Sequence, residues 1–516
     1  MTDALAYLFS SWLQPELLAL TALGTFAGIY IGAIPGLSVT MAVSILISFT
    51  FSWDVNPALA LMNGVFMGGV YGGSRTAILL NIPGAPAAIA TALDGYPLAK
   101  KGEAGSAIGL STVMSFIGGF IGIIVLAIAA PTVSEFAILF QPRDYMLLAV
   151  MGILLVSSLA GESLAKGIFA GALGMLLGTV GLDPMTAEQR FTFGSIDLMN
   201  GISPIALMIG LFGVSEALLQ LHNLNAEAIK QKVDRIVPSL ADVKKYLPLS
   251  LQTSGIGVII GALPGTGGDI AALMAYDHAK RVTKNPEVPF GEGAKEGLVG
   301  AETANNAAVG GAYIPMLTLG IPGDAVTAII IGALFIHGLN PGPLLMIEKP
   351  DMFWFTVGNL ALANIFMLIF GLTGIKIFTR IVECPKSILF PLILLLSVVG
   401  AFSINNSVSD VWWMLGFGVL GYFLKLYGYQ VGPIVLGIIL SRLMDDNWRR
   451  AIISERGSFV DFALGIVTSP LSLALLLIIV FVLVGQTPLW KSFRNRGEGK
   501  SGKDTPPIAK TVNGKE

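Results

Sequence analysis

The chain has 516 residues, of which 54% are hydrophobic and only 12% charged, with a mean hydropathy of +0.76. A soluble chain carries about twice that share of charge, so the composition excludes a string of soluble domains and points to a polytopic membrane protein. A net charge of -2 with no long basic run gives no support to nucleic-acid binding. The single cysteine, Cys384, excludes a disulfide framework, and His222, His278 and His337 lie too far apart to suggest a metal site.

A spanning helix needs about 20 mostly apolar residues. Apolar runs lie near 17–36, 38–52, 57–72, 105–130, 144–160, 164–182 and 200–221, then 247–264, 266–279, 298–318, 353–378, 387–402, 410–427, 430–443 and 464–486. Several are short, so the expected fold is all-α and polytopic with about 11–15 transmembrane helices. Strict alternation over ten-residue segments is absent, which argues against an outer-membrane barrel. No basic region precedes the first apolar run, so no cleaved signal peptide is expected.

An internal repeat divides the chain. Gly28-Ile-Tyr-Ile-Gly32-Ala-Ile-Pro35-Gly36 matches Gly257-Val-Ile-Ile-Gly261-Ala-Leu-Pro264-Gly265. Asn81-Ile-Pro83-Gly84-Ala85 then matches Gly320-Ile-Pro322-Gly323-Asp324, Asp94-Gly95 pairs with His337-Gly338, and Ser203-Pro204-Ile205 pairs more weakly with Gly432-Pro433-Ile434. The expected organisation is a first transmembrane repeat over 1–221, a cytoplasmic linker over 222–246, a second repeat over 247–450, an extra C-terminal helix over 451–490 and a disordered cytoplasmic tail over 491–516. The linker carries Lys230, Lys232, Arg235, Lys244 and Lys245, which places it inside. Seven spans in the first half make the second enter from the opposite side, giving inverted-topology repeats, with the N-terminus periplasmic and the C-terminus cytoplasmic. Loop charges agree: Ser52–Asn56 holds no Lys or Arg, whereas its counterpart Lys280–Glu296 holds Lys280, Arg281, Lys284 and Lys295. The arginines Arg442, Arg449, Arg450 and Arg456 fall on the wrong side of this scheme. The stretch 17–52 reads either as two spans or as one broken helix.

Segments 76–92 and 320–338 are too short for two spans and read as re-entrant hairpins, each broken at a Pro-Gly. Irregular backbone at membrane depth is tolerated only where it is buried in protein or lines a wet cavity. The half-helix after each break begins with free N–H groups and a partial positive charge, which suit an anion, while unwound carbonyls near Gly84 and Gly323 suit Na⁺. A simple kink or packing turn is the bland alternative. The candidate binding residues are therefore Asn81, Pro83, Gly84 and Ala85, with Gly320, Pro322, Gly323 and Asp324 from the second break. Pro35, Gly36, Ser38, Pro264, Gly265, Thr266, Ser74 and Asn306 join them, because buried polar groups and breaks at membrane depth are costly unless used. Asp269, Glu302 and Asn305 are candidates for cation coupling, against the plainer reading of a helix cap or ion pair. Arg75 reads either as an anion partner or as a topology anchor. Glycines at every fourth position, Gly24-Gly28-Gly32-Gly36, Gly64-Gly68-Gly72 and Gly257-Gly261-Gly265, read as close helix packing.

At these motifs the chain resembles a known family. Ile-Gly-Ala-Ile-Pro-Gly-Leu (31–37), Tyr-Gly-Gly-Ser (71–74), Leu-Leu-Asn-Ile-Pro-Gly (79–84) and Ala-Leu-Asp-Gly-Tyr-Pro-Leu (92–98) look like its first half. Gly-Ala-Leu-Pro-Gly (261–265), Glu302 with Asn305-Asn306, Leu-Thr-Leu-Gly-Ile-Pro-Gly (317–323) and His-Gly-Leu-Asn-Pro-Gly-Pro-Leu-Leu (337–345) look like its second. The family is the large membrane subunit of tripartite tricarboxylate transporters. The resemblance implies a secondary transporter of the bacterial inner membrane that works with a small four-helix membrane subunit and a periplasmic solute-binding protein. It implies import of a di- or tricarboxylate driven by Na⁺ or H⁺, with no cofactor. A homodimeric scaffold is common in such architectures. Many relatives carry an acidic residue after the first Asn-Ile-Pro-Gly, where this chain has Ala85, so the resemblance assigns no acid there.

Three rivals are weaker. A primary pump needs a phosphate-cradling loop, and Gly499-Lys500-Ser501 lacks its upstream glycine because Arg494 stands there. An intramembrane aspartyl protease would need its two aspartates on separate helices, whereas Asp269 and Asp277 share one segment. A passive anion channel differs from a transporter in that it cannot accumulate substrate against a gradient.

Overall fold

The computed structural model describes residues 2–34, 37–81, 84–159, 163–183, 186–221, 236–374 and 386–485. The polar tail, most of the linker, Cys384 and the candidates Pro35, Gly36 and Pro83 lie outside these residues.

The first segment runs α1 (Pro15–Ala33), α2 (Val39–Thr50), α3 (Val55–Leu80), α4 (Ala88–Lys100), α5 (Ala104–Ala137), α6 (Pro142–Leu159) and α7 (Leu164–Gly178). It closes with α8, where Pro204–Met208 continues through the π-helical Ile209–Val214 into Ser215–Leu221. The second segment runs α9 (Leu240–Gly261), α10 (Gly267–Val282), α11 (Lys295–Leu319), α12 (Ala325–Ile336) and α13 (Pro350–Thr373). It continues with α14 (Lys386–Asn405), α15 (Val408–Leu426) and α16 (Gly432–Ser454). Shorter helices, such as Thr2–Leu8 against α13, fill the connections.

By length and apolarity, three of the described helices can cross a bilayer alone: α1, α5 and α13. The 12-residue α2 and α12 rise only about 18 Å each, well short of a hydrocarbon core about 30 Å thick. The short apolar runs at 38–52 and 320–338 thus hold helices too short to span alone, and 17–52 is a 19-residue helix followed by a 12-residue one. Two further differences concern the ends of the repeats. The expected all-α chain contains one two-stranded antiparallel hairpin, β1 (Gly181–Leu182) with β2 (Gln189–Arg190). In place of one extra C-terminal helix, Phe459–Thr468 (α17) and Pro470–Gly485 (α18) meet at a bend of 89°. The bend falls at Ser469-Pro470, because proline cannot continue the preceding hydrogen-bond ladder.

The troublesome arginines are partly accounted for by pairing. Arg449 reaches both Asp183 at 2.7 Å and Asp445 at 3.1 Å, and Arg190 bridges the same two aspartates at 3.0 and 2.9 Å. This network ties the β-hairpin to α16, so local positive charge is a poor guide to side here.

The glycine rows do what their spacing suggests. A Cβ on Gly28 would collide with the carbonyl oxygen of Val65, and one on Gly32 with that of Gly69. In the second segment a Cβ on Gly257 would collide with the carbonyl of Ala304, and one on Gly261 with that of Ala308. These are the sequence-matched partners, so α1 seats on α3 as α9 seats on α11, backbone to backbone. The helices form two packed groups. One is built on α1–α3, α9–α11 and α5–α11–α13; the other packs α6, α7, α16 and α18, with α8 against α14 and α15. The half-helices α2 and α12 touch each other and both groups.

Candidate functional site

Both breaks have the same local form. α3 ends on Asn81 in the left-handed conformation (φ 55°), its N–H bonded to the Thr76 carbonyl. α11 ends on Gly320, also left-handed (φ 70°), its N–H bonded to the Pro315 carbonyl. The chain then turns sharply through a glycine with no room to spare. A Cβ on Gly84 would collide with the Gly32 carbonyl oxygen and come to 2.9 Å from the Cα of Gly73. A Cβ on Gly323 would come to 2.6 Å from the Gly261 carbonyl oxygen and 2.5 Å from the Cα of Ala312. Thus each break is locked against the glycine of its own preceding helix pair.

Between these breaks lies a cavity of about 1000 Å³. The residues that begin six helices form much of its wall. They are Ser38–Thr40 for α2, Ala85–Ala87 for α4, Ser163 and Lys166 for α7, Gly265–Asp269 for α10, Asp324–Val326 for α12, and Val431–Pro433 for α16. Each of these helices has at least twelve residues, and each turns the positive end of its dipole toward the cavity, although the first N–H groups of α4 and several of those of α2 and α12 are already taken by turns and side-chain caps. Asn305 on α11 and Phe66 and Val70 on α3 close the wall on one side, and Glu216, Lys425 and Tyr429 on the other.

The carboxylates of this cavity are engaged. Asp324 caps α12, its carboxylate accepting from the Thr327 N–H at 2.7 Å while the Asp324 N–H donates to the Thr327 hydroxyl at 2.9 Å. Asp269 accepts from the N–H of Ala87 at 3.0 Å, so a carboxylate of the second segment caps the half-helix of the first. Ala85, matched in sequence to Asp324, has no carboxylate of its own. Glu216 pairs with Lys425 at 2.8 Å.

Of the sequence candidates, Ser38, Ala85, Gly265, Thr266, Asp269, Asn305 and Asp324 line the cavity. Ser38 caps α2 through the Met41 N–H at 3.0 Å, and Asn305 donates to the Val70 carbonyl at 3.2 Å. Asn81 is an exposed turn residue, while Gly84, Gly320, Pro322, Gly323 and Pro264 shape the breaks from behind without touching the cavity.

Glu302, Ser74 and Asn306 belong elsewhere. Glu302 is wholly buried on α11, away from the cavity. Its carboxylate accepts from the hydroxyls of Thr91 on α4, and of Ser115 at 2.9 Å and Ser111 at 3.2 Å on α5. Ser74 on α3 lies 3.3 Å from Ser111 within the same cluster, and Asn306 turns its amide back to the Glu302 carbonyl. The matching position in the first segment is Asn63, which bonds Asn359 at 3.0 Å and receives the Tyr313 hydroxyl at 2.5 Å. One half thus buries a carboxyl group where the other buries an amide.

Arg75 stands apart from the cavity. It is fully buried, stacked on Tyr71 and bonded to the carbonyls of Phe370 and Gly371, so it braces α3 against α13 and does not line the cavity. The two aspartates of the protease alternative form no dyad: Asp277 is exposed and paired with Arg281, while Asp269 caps Ala87. Among the described residues no cluster of His, Cys, Asp or Glu is set up for a metal.

Lys166, Glu216, Lys425, Thr91, Ser111 and Ser115 were not anticipated. No local motif marks them, since each is a common residue at an ordinary helical position. Only the weak Gly432-Pro433 match hinted that α16 begins at the site.

The comparisons with known proteins agree with the sequence motifs. The chain is 35% identical over 490 residues to a protein of Agrobacterium vitis described as an uncharacterized 52.8 kDa protein in the TAR-I ttuC' 3'region, covering 95% of this chain and 97% of that one. It is 37% identical over 241 residues to an uncharacterized protein in the TAR-II ttuC' 3'region of the same organism, covering 46% of this chain and 98% of that one. No solved structure matches. Residues 18–436, which include both breaks and almost the whole cavity wall, match the tripartite tricarboxylate transporter TctA family, and the chain belongs to that family of membrane transporter subunits.

Proposed function

We propose that the chain carries a di- or tricarboxylate across the bacterial inner membrane by alternating access, coupled to Na⁺ or H⁺. In this reading a periplasmic solute-binding protein delivers the substrate and a small four-helix subunit completes the assembly. The observation that carries the proposal is the convergence of six helix N-termini and Lys166 on one cavity of about 1000 Å³ among apolar helices, whose carboxylates Asp269, Asp324 and Glu216 are occupied by helix caps and by Lys425. Such an array favours a multiply charged anion, because fixed backbone dipoles replace its hydration where water is scarce. The volume suits a small organic molecule with some water.

The two breaks give the alternation a physical basis. Each half-helix is short, begins at the cavity and is hinged on an interrupted backbone. In the proposed cycle the group built on α3 and α11 moves with its bound anion against the group built on α6, α7 and α16, in the manner of an elevator, with the two segments inverted in the membrane. Asp269 and Asn305 at the cavity, and Glu302 in its hydroxyl cage, are the proposed coupling groups, with unwound carbonyls beside Gly84 and Gly323 as the Na⁺ alternative. Asp269 is well placed for this work, because a cation or proton on its carboxylate competes directly with the cap it gives Ala87.

The test is uptake into proteoliposomes of citrate, succinate and butyrate, with and without an inward Na⁺ or pH gradient. Gradient-dependent accumulation of citrate or succinate is expected. Equilibration without accumulation would identify a passive channel, and no carboxylate flux under any gradient would reject the reading.

A further inference from the structure

Lys166 stands in an unfavourable place for a cation. It lies in the first turn of α7, beside the positive end of its own helix dipole, in a wall that already gathers the N-termini of five other helices. A lysine there is destabilising unless a negative group answers it. Among the described residues no carboxylate does so. Its ammonium donates one hydrogen bond to the Tyr427 carbonyl at 2.6 Å and sits 4.9 Å from the centre of the Tyr429 ring. The neighbouring Lys425, by contrast, is paired with Glu216. An ammonium has three N–H donors, so two remain for the cavity. The backbone leaves room for it: Gly428 is left-handed (φ 71°), and a Cβ there would come to 3.4 Å from the Lys166 nitrogen.

We propose that Lys166 binds a second carboxylate of the substrate, and so selects di- and tricarboxylates over monocarboxylates. One carboxylate of the substrate lies at the N-terminal turns of α2, α10 and α12. The other crosses the cavity to the Lys166 ammonium, which its carbonyl and ring contacts hold in position without neutralising it. A monocarboxylate satisfies only the first of these sites. The inference rests on the anion reading above and adds the group that counts the charges.

The experiment measures equilibrium binding of citrate, succinate and butyrate to the purified full chain in lipid nanodiscs. For Lys166→Gln, citrate and succinate affinities should fall at least tenfold relative to butyrate, while Lys166→Arg should stay within about threefold of wild type. The ratio between ligands within one variant is the readout, so a smaller folded fraction cannot imitate it. A second measurement uses the wild type: saturating citrate or succinate should slow acylation of Lys166 by a water-soluble succinimidyl ester, read by mass spectrometry, and leave Lys280 unaffected. Unchanged ligand ratios in Lys166→Gln, or equal labelling of Lys166 with and without ligand, would overturn the assignment while leaving the anion site standing. If the wild type binds none of the three probes, the anion reading falls and this one with it.

Discussion

Two glycines show how little freedom the breaks have. Gly84 and Gly323 each press against a carbonyl and a Cα of the adjoining helices, and an alanine methyl at either position meets main chain that cannot swing aside as a side chain would. Gly84→Ala and Gly323→Ala should each lower uptake per reconstituted transporter at least tenfold, with insertion into the membrane retained. Normal uptake in both variants would remove the breaks from the transport cycle. Asp94 makes a separate structural prediction. It is fully buried on α4, and one carboxylate oxygen accepts the N–H groups of Gly291, Gly293 and Ala294, at 2.8, 2.9 and 2.8 Å. It therefore fastens the α3–α4 hairpin to the loop before α11. Asp94→Ala strands three donors and should cost about 3 kcal/mol, seen as a lower melting temperature in detergent. At this scale the sequence is legible where chemistry is local. Proline and glycine announce a break wherever they occur, so Asn81, Gly84, Gly320 and Gly323 are found by inspection. Lys166 and Glu216 are not, because their meaning comes from Tyr427 and Lys425 more than two hundred residues away.

Close seams between helices carry the next level of the account. α1 on α3 and α9 on α11 approach through glycines whose matched partners make matched contacts. Gly28→Val or Gly257→Val should force the paired helices apart and prevent recovery of monodisperse protein, checked by size-exclusion chromatography. Four helices also meet at Glu302: α3, α4, α5 and α11 each contribute to its cage. Glu302→Gln keeps the shape and removes the ionisable group, so uptake should lose its dependence on the driving cation while carboxylate binding persists. Unaltered cation dependence would confine Glu302 to a packing role. Helix existence was readable from apolar runs, but helix length was not. Hydropathy does not distinguish a run that crosses the bilayer from a half-helix such as α2 or α12, which begins at a cavity in the protein interior. The hairpin of β1 and β2 is not legible in the sequence for a related reason: two-residue strands leave no periodic signal, and this one is tied down by Asp183, Arg190, Asp445 and Arg449.

At the scale of the molecule, the break motifs of two distant segments contribute to the walls of a single cavity. The sequence match between Asn81–Ala85 and Gly320–Asp324 pairs Ala85 with Asp324, and both line the cavity, with Asp269 crossing from one segment to cap the other. The differences between the halves are as informative as the likeness. Glu302 answers Asn63, and Asp324 answers Ala85, so the carboxyl members of both pairs sit in the second segment.

The most direct measurement is a cryo-EM map of the full chain in nanodiscs with saturating citrate or succinate. Density for the carboxylate is expected between Ser38–Thr40, Gly265–Asp269 and Asp324–Val326. Density at any other place, with this cavity holding only water, would contradict it.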